Sequence, residues 1–144
     1  MNEWITEYEG VDITTVQIVE RKLEIMFPSD YIDFIRLYQG GRPKKGELVI
    51  KNNKVNLEYL LVFIAFDELD ILDKYNETKK YLFKNIIPFA ITSDNGILCF
   101  LFLPNKTLES IVYVDINKAR NKDEDCIVFI CKTFTELLQI LESR

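Results

Sequence analysis

Residues 86–103 read IIPFAITSDNGILCFLFL, and this stretch decides the architecture. Ile86 to Ile91 and Ile97 to Leu103 are apolar runs of strand length, separated by Thr92 to Gly96. Asp94-Asn95-Gly96 has the chemistry of a turn between antiparallel neighbours, because Asn and Gly both accept a left-handed backbone. The residues from Ile97 to Leu103 are all apolar and do not alternate, so this strand is predicted to be covered on both faces. The cover comes either from the chain's own helices or, on one face, Leu98-Phe100-Phe102 or its alternate, from a partner or a second copy.

Working outward, Ser110 to Ile116 and Cys126 to Cys131 read as further strands, with the charged stretch Asn117 to Asp125 a solvated loop. Phe134, Leu137, Leu138 and Leu141 recur at helical spacing behind Thr133 or Thr135 as cap. Upstream, Asp67 to Phe83 is predicted as a helix. Leu69, Leu72, Tyr75 and Leu82 mark its apolar side, Glu68, Asp70, Asp73 and Glu77 its polar side. A strand is expected over 55–65, a tight turn at Asn52-Asn53, a short strand at Glu47 to Lys51 and a basic loop at Arg42 to Gly46. Two helices open the chain. The first, 15–27, carries Val16, Val19, Leu23 and Met26 on one stripe, with Thr14 or Thr15 as cap. The second, about 29–39, begins after the Phe27-Pro28 corner, with Ser29 or Asp30 as cap. Tyr31, Phe34, Ile35 and Tyr38 form its apolar stripe, and Gly40-Gly41 ends it. The order predicts an α+β fold in one domain over 1–144. It is a single mixed, mostly antiparallel sheet of about five to six strands. An N-terminal helix pair, a middle helix and a C-terminal helix cover it.

Composition narrows function by exclusion. The 144 residues include 18 basic and 23 acidic side chains, a net charge of −5, and no histidine. Without an imidazole there is no Ser-His-Asp triad, no Cys-His pair and no histidine-ligated zinc or copper site. Asp70 and Asp73 share a helix face but match no metal-binding loop, so neither metal nor cofactor is expected. The acidic balance argues against nucleic acid as a partner and favours a basic one. Cys99, Cys126 and Cys131 sit in apolar runs and are expected to pack as small hydrophobes. Cys126 and Cys131, five apart, should face opposite sides of a strand. No apolar run reaches the roughly 20 residues of a membrane span, and the acidic N-terminus does not read as a signal peptide. The sequons at Asn76 and Asn105 are therefore read as chance matches, and the expected location is cytoplasmic.

Three stretches together resemble the SUKH superfamily, which includes fungal glucan-synthesis regulators and many bacterial proteins. The first runs from Glu20 in an amphipathic helix through Pro28, Asp30, Tyr31, Phe34 and Tyr38 to Gly40-Gly41. The second is Ile87-Pro88-Phe89-Ala90 followed by Asp94, Asn95 and Gly96. The third is Val128 to Phe134 leading into the last helix. This chain departs from the family in Phe27 for leucine, Gln39 for asparagine, a single glycine in the turn and no acid after Leu103. The resemblance implies a binding domain without catalytic residues, similar to bacterial immunity proteins that neutralise protein toxins, many of them nucleases. A regulatory scaffold like the fungal relatives is the alternative, and a small carboxylate-dependent enzyme the third. The motif residues Glu20, Pro28, Asp30, Tyr31, Phe34, Tyr38, Gly40, Gly41, Pro88, Phe89, Asp94 and Gly96 are expected to be mainly structural. Partner contacts are expected at Glu68, Asp70, Asp73, Glu77, Asp94 and Asn95, in a monomer or weak homodimer.

Overall fold

The computed structural model describes residues 2–65 and 67–143. Its strands are β1 (Trp4–Ile5), β2 (Arg42–Pro43), β3 (Glu47–Ile50), β4 (Asn53–Leu60), β5 (Ile86–Thr92), β6 (Gly96–Phe102), β7 (Leu108–Asp115) and β8 (Ile127–Cys131). The α-helices are α1 (Ile13–Leu23), α2 (Ser29–Tyr38), α3 (Ile71–Thr78), α4 (Ile116–Arg120) and α5 (Phe134–Glu142). Strands β3 to β8 form one sheet in chain order, and every pairing in it is antiparallel, so the sheet is a meander rather than mixed.

The central strand β6 is covered on both faces by the chain itself. Leu98, Phe100 and Phe102 join a core with Val16 and Val19 of α1, Tyr31 and Ile35 of α2, and Phe134 and Leu137 of α5. Ile97 and Cys99 face the other way, against Ile116 and Ala119 of α4, Cys126, and the partly buried Tyr81 and Leu82. Cys131 lies in the first core and Cys126 in the second, on opposite faces.

The first core centres on an aromatic cluster. The Tyr31 ring lies 4.9 Å from Phe100, 5.3 Å from Phe134 and 5.2 Å from Phe27, and Phe89 stacks on Phe100 at 4.2 Å. Proline in an interior strand would break a ladder. Here Pro88 adjoins a bulge between Pro88 and Ala90, and the Phe89 carbonyl accepts the Leu61 N–H at 2.8 Å.

Local polar chemistry sets several boundaries differently from the periodicity. Helix α1 is capped by Asp12, whose side chain accepts the Thr15 N–H, and it ends at Leu23 because Glu24 turns left-handed at φ 58°. Met26 therefore leaves the apolar stripe and is 77% exposed. Pro28 itself occupies the cap position of α2. Asp30 works outward instead: one carboxylate oxygen accepts the Tyr31 N–H, the other the Thr135 N–H and hydroxyl, tying α2 to the start of α5. Thr133 caps α5 as predicted. The tight turn uses Lys51 and Asn52, at φ 48° and 70°, one residue earlier than expected. The stretch read as a loop between β7 and β8 contains α4, which Asp115 caps through the Lys118 N–H. The basic loop after Gly41 contains β2, paired with β1 in a two-stranded ribbon.

Candidate functional site

A groove runs beside the glycine pair that ends α2. Gln39, 8% exposed, is the post on which its N-terminal wall hangs. Its Nε2 donates to the Glu9 carbonyl at 2.7 Å, its carbonyl accepts the Thr6 hydroxyl at 2.5 Å, and its Oε1 accepts the Phe63 N–H at 3.0 Å. One buried amide thus joins the N-terminal segment to the end of α2 and to the chain beyond β4. Gly40 sits at φ +68°, and a Cβ there would come within 2.3 Å of the Tyr8 ring and 2.8 Å of Val62. Gly41 is pressed in the same way between the Tyr38 carbonyl and the Trp4 ring. The pair both ends α2 and leaves room for the N-terminal segment to lie down.

The opposite wall comes from β4. Its ladder with β5 shifts register between Leu57 and Tyr59. In a regular strand neighbours point to opposite faces, and a bulge re-aims one of them. Glu58 and Tyr59 consequently line the same concavity, with Ile5, Glu7, Tyr8, Arg42, Asp67 and Glu68 around them and a volume of 680 Å³. Ile5, Arg42 and Glu58 also border a second hollow of 770 Å³ toward Ser93, so the two hollows adjoin at these three side chains and together make a trough.

Charge in the trough is uneven. Lys44 lies 4.0 Å from Glu3, and Lys74 lies 3.7 Å from Glu77. Asp67 accepts the Tyr8 hydroxyl at 2.6 Å and the Leu69 N–H at 2.9 Å. That carboxylate bond, with burial and the neighbouring acids Glu7 and Glu68, pushes the Tyr8 hydroxyl up to about 12. Glu7, Glu58 and Glu68 have neither a hydrogen bond nor an ion pair among the described residues. Arg42 has no carboxylate within ion-pair distance there either, and its guanidinium sits 5.7 Å from the centroid of the Tyr59 ring.

The residues expected as partner contacts are dispersed. Glu68 lies in the groove and Asp73 is exposed on α3. Asp70 is only 4% exposed, and its carboxylate accepts the N–H groups of Leu72, Asp73 and Ala65, so it holds the start of α3 and presents no surface. Glu77 is held by Arg120 at 3.2 Å as well as by Lys74. Asp94 is committed to its own turn: one oxygen takes the Thr92 hydroxyl and the other the Tyr113 hydroxyl, while Gly96 leaves room for the Tyr113 ring. Asn95 adopts φ 65° at the exposed tip. The recess beside it, lined by Lys51, Asp94, Tyr113, Asp115 and Lys118 among others, measures only 110 Å³.

The motif residues other than the exposed Asp94 are buried or partly buried. Glu20 accepts the Phe27 N–H at 2.7 Å and so shapes the corner before Pro28. Tyr31 and Phe89 are fully buried, and the Phe34 and Tyr38 rings pack 5.0 Å apart. The sequence reasoning missed Tyr8, Arg42, Glu58 and Tyr59. The alternation of β4 conceals a bulge, and the two-residue strands of the ribbon have no periodicity. Among the described residues no group of three or more carboxylates or cysteines is arranged to hold a metal ion. No helix there is long and apolar enough to cross a membrane.

Meander, two-sided helical cover and flanking groove define a small α+β protein built around an antiparallel sheet. The chain belongs to the SMI1 / KNR4 family (SUKH-1), whose model matches residues 10–140. Comparison with curated proteins gives no significant match. The matched span begins at Gly10, so the groove wall formed by Ile5, Glu7 and Tyr8 lies outside it.

Proposed function

We propose that this chain is a binding domain without catalytic chemistry that neutralises a protein toxin by covering its working surface, in the manner of bacterial immunity proteins. The observation that carries this reading is the groove: carboxylates and aromatic rings open to a partner, placed on a rigid sheet, in a member of the SUKH-1 family. A nuclease cleft is basic because it holds phosphate, and an acidic surface competes for it and accelerates encounter through its field. Three unbridged, buried cysteines fit a reducing compartment, so we place the protein in the cytoplasm.

The test is co-expression with the products of the adjacent reading frames, followed by isolation of the complex. The expected result is a stable complex that relieves growth arrest, with an association rate that falls as salt rises from about 50 to 500 mM. Failure of every neighbouring product to bind would refute the immunity reading. A salt-independent association rate would refute the electrostatic part of it.

A further inference from the structure

We infer that the groove is a receptor for a guanidinium or ammonium side chain on an extended basic segment of the protein partner, and that Arg42 occupies this receptor in the free protein as an internal stand-in. The inference rests on the protein-binding reading above and assigns it a surface and a chemistry.

Three observations carry it. First, the bulge in β4 brings Glu58 and Tyr59 onto one wall, facing Tyr8 and Asp67 on the other, an aromatic and carboxylate lining that suits an organic cation. Second, that lining already holds one. The Arg42 guanidinium lies 5.7 Å from the centroid of the Tyr59 ring, although Arg42 is an exposed side chain with other places to go. Third, the acids around it are unspent. Lys44 and Lys74 are engaged by Glu3 and Glu77, while Glu7, Glu58 and Glu68 have no partner among the described residues. A partner's arginine or lysine entering the trough would therefore find a ring face and free carboxylates, once Arg42 swings out to solvent. The 680 Å³ of the hollow lies within the usual range of pockets that hold a sizeable group. The adjoining hollow past Arg42 and Glu58 gives an extended segment room to continue.

The probe is a fluorescein-labelled arginine–glycine decapeptide, with its lysine–glycine and glutamate–glycine counterparts, measured by fluorescence anisotropy on the intact chain. The arginine and lysine peptides should bind and the glutamate peptide should not. Tyr59→Leu should weaken binding about two- to five-fold, the span of one exposed cation–π contact. Tyr59→Phe should restore it, which separates loss of the ring from loss of the fold. Glu58→Gln should weaken it as well. Arg42→Gln should tighten binding at least three-fold, and by more than Lys80→Gln, which makes the same charge change outside the groove. Equal tightening by Arg42→Gln and Lys80→Gln, or peptide binding unmoved by Tyr59→Leu, would overturn the inference. So would a toxin complex whose affinity ignores Tyr59→Leu and Glu58→Gln, although that result leaves the immunity reading intact. Groove-dependent peptide binding with no toxin partner would support the receptor while removing the immunity reading.

Discussion

Removing the hydroxyl of Tyr31 is expected to stabilise the protein. Tyr31 is fully buried among Phe27, Phe63, Phe89, Phe100 and Phe134, and its oxygen has no hydrogen-bond partner among the described residues. A hydroxyl taken from water without a new bond costs about 1–3 kcal/mol. Tyr31→Phe recovers that cost and leaves a void no larger than one water-sized sphere. At about 24 cal/mol per Å3 over roughly 10–15 Å3, the void gives back only ~0.3 kcal/mol. The net gain is about 1 kcal/mol or more, and a chain of this length should respond by roughly 2–4 °C in Tm per kcal/mol. Urea unfolding followed by circular dichroism measures it directly.

The pH dependence supplies a second reading. Burial pushes the Tyr31 hydroxyl above the ordinary tyrosine value of 10.0, so the unfolded chain releases this proton first. The resulting stability is fully present below about pH 10 and is lost as pH rises beyond it, less steeply in Tyr31→Phe. A variant less stable than the parent by about 1 kcal/mol would show that the hydroxyl is satisfied and refute the reasoning.

Other perturbations follow from contacts already described. Gly40→Ala places a Cβ at a positive φ and against the Tyr8 ring, and should cost about 2 kcal/mol or more while freeing the groove wall, visible as faster hydrogen exchange over 4–9. Asp70→Ala removes the acceptor of the Ala65, Leu72 and Asp73 N–H groups and should cost about 2–3 kcal/mol in urea unfolding, more than an ordinary helix cap. Asp30→Ala loses the link to the Thr135 N–H and should cost about 1 kcal/mol, with exchange protection falling first in α5. Burial raises all three thiols, Cys131 to about 12, so a disulfide reagent at pH 8 should label none of them until the protein unfolds.

The sheet was legible because its strands announce themselves by composition. β5 and β6 lie within a residue of their expected bounds, and the two-sided cover follows from an apolar run that has no wet side. What periodicity missed was decided by single polar atoms. The predicted helix over 67–83 shrinks to Ile71–Thr78 because the Asp70 carboxylate starts it. Both the Tyr81 and Leu82 N–H groups turn back to the Thr78 carbonyl at its end. The stretch after β7 looks like a solvated loop by charge, yet Ile116 and Ala119 bury one face of α4. The acids were visible and their allegiances were not: Asp70, Glu77 and Asp94 serve the fold, and Glu68 remains for the groove. Tyr8 and Arg42 carry no pattern of their own, and only the Gln39 bonds and the bulge in β4 bring them together.

The meander has a bearing on the order in which the molecule assembles. Each strand from β3 to β8 pairs with the one next to it in the chain, through tight connections after β3, β5 and β6 and through longer segments carrying α3 and α4 after β4 and β7. The Gln39 junction is of another kind, since it requires residues 6, 9, 39 and 63 at once. Residues 2–9 come before everything they rest on, and bonds to Gln39 hold Thr6 and Glu9. The half of the groove that lies outside the family match is held in place by contacts from the end of α2 and from the chain beyond β4. A substitution at Ile5 or Glu7 changes the groove lining without touching any strand pairing of the six-stranded sheet.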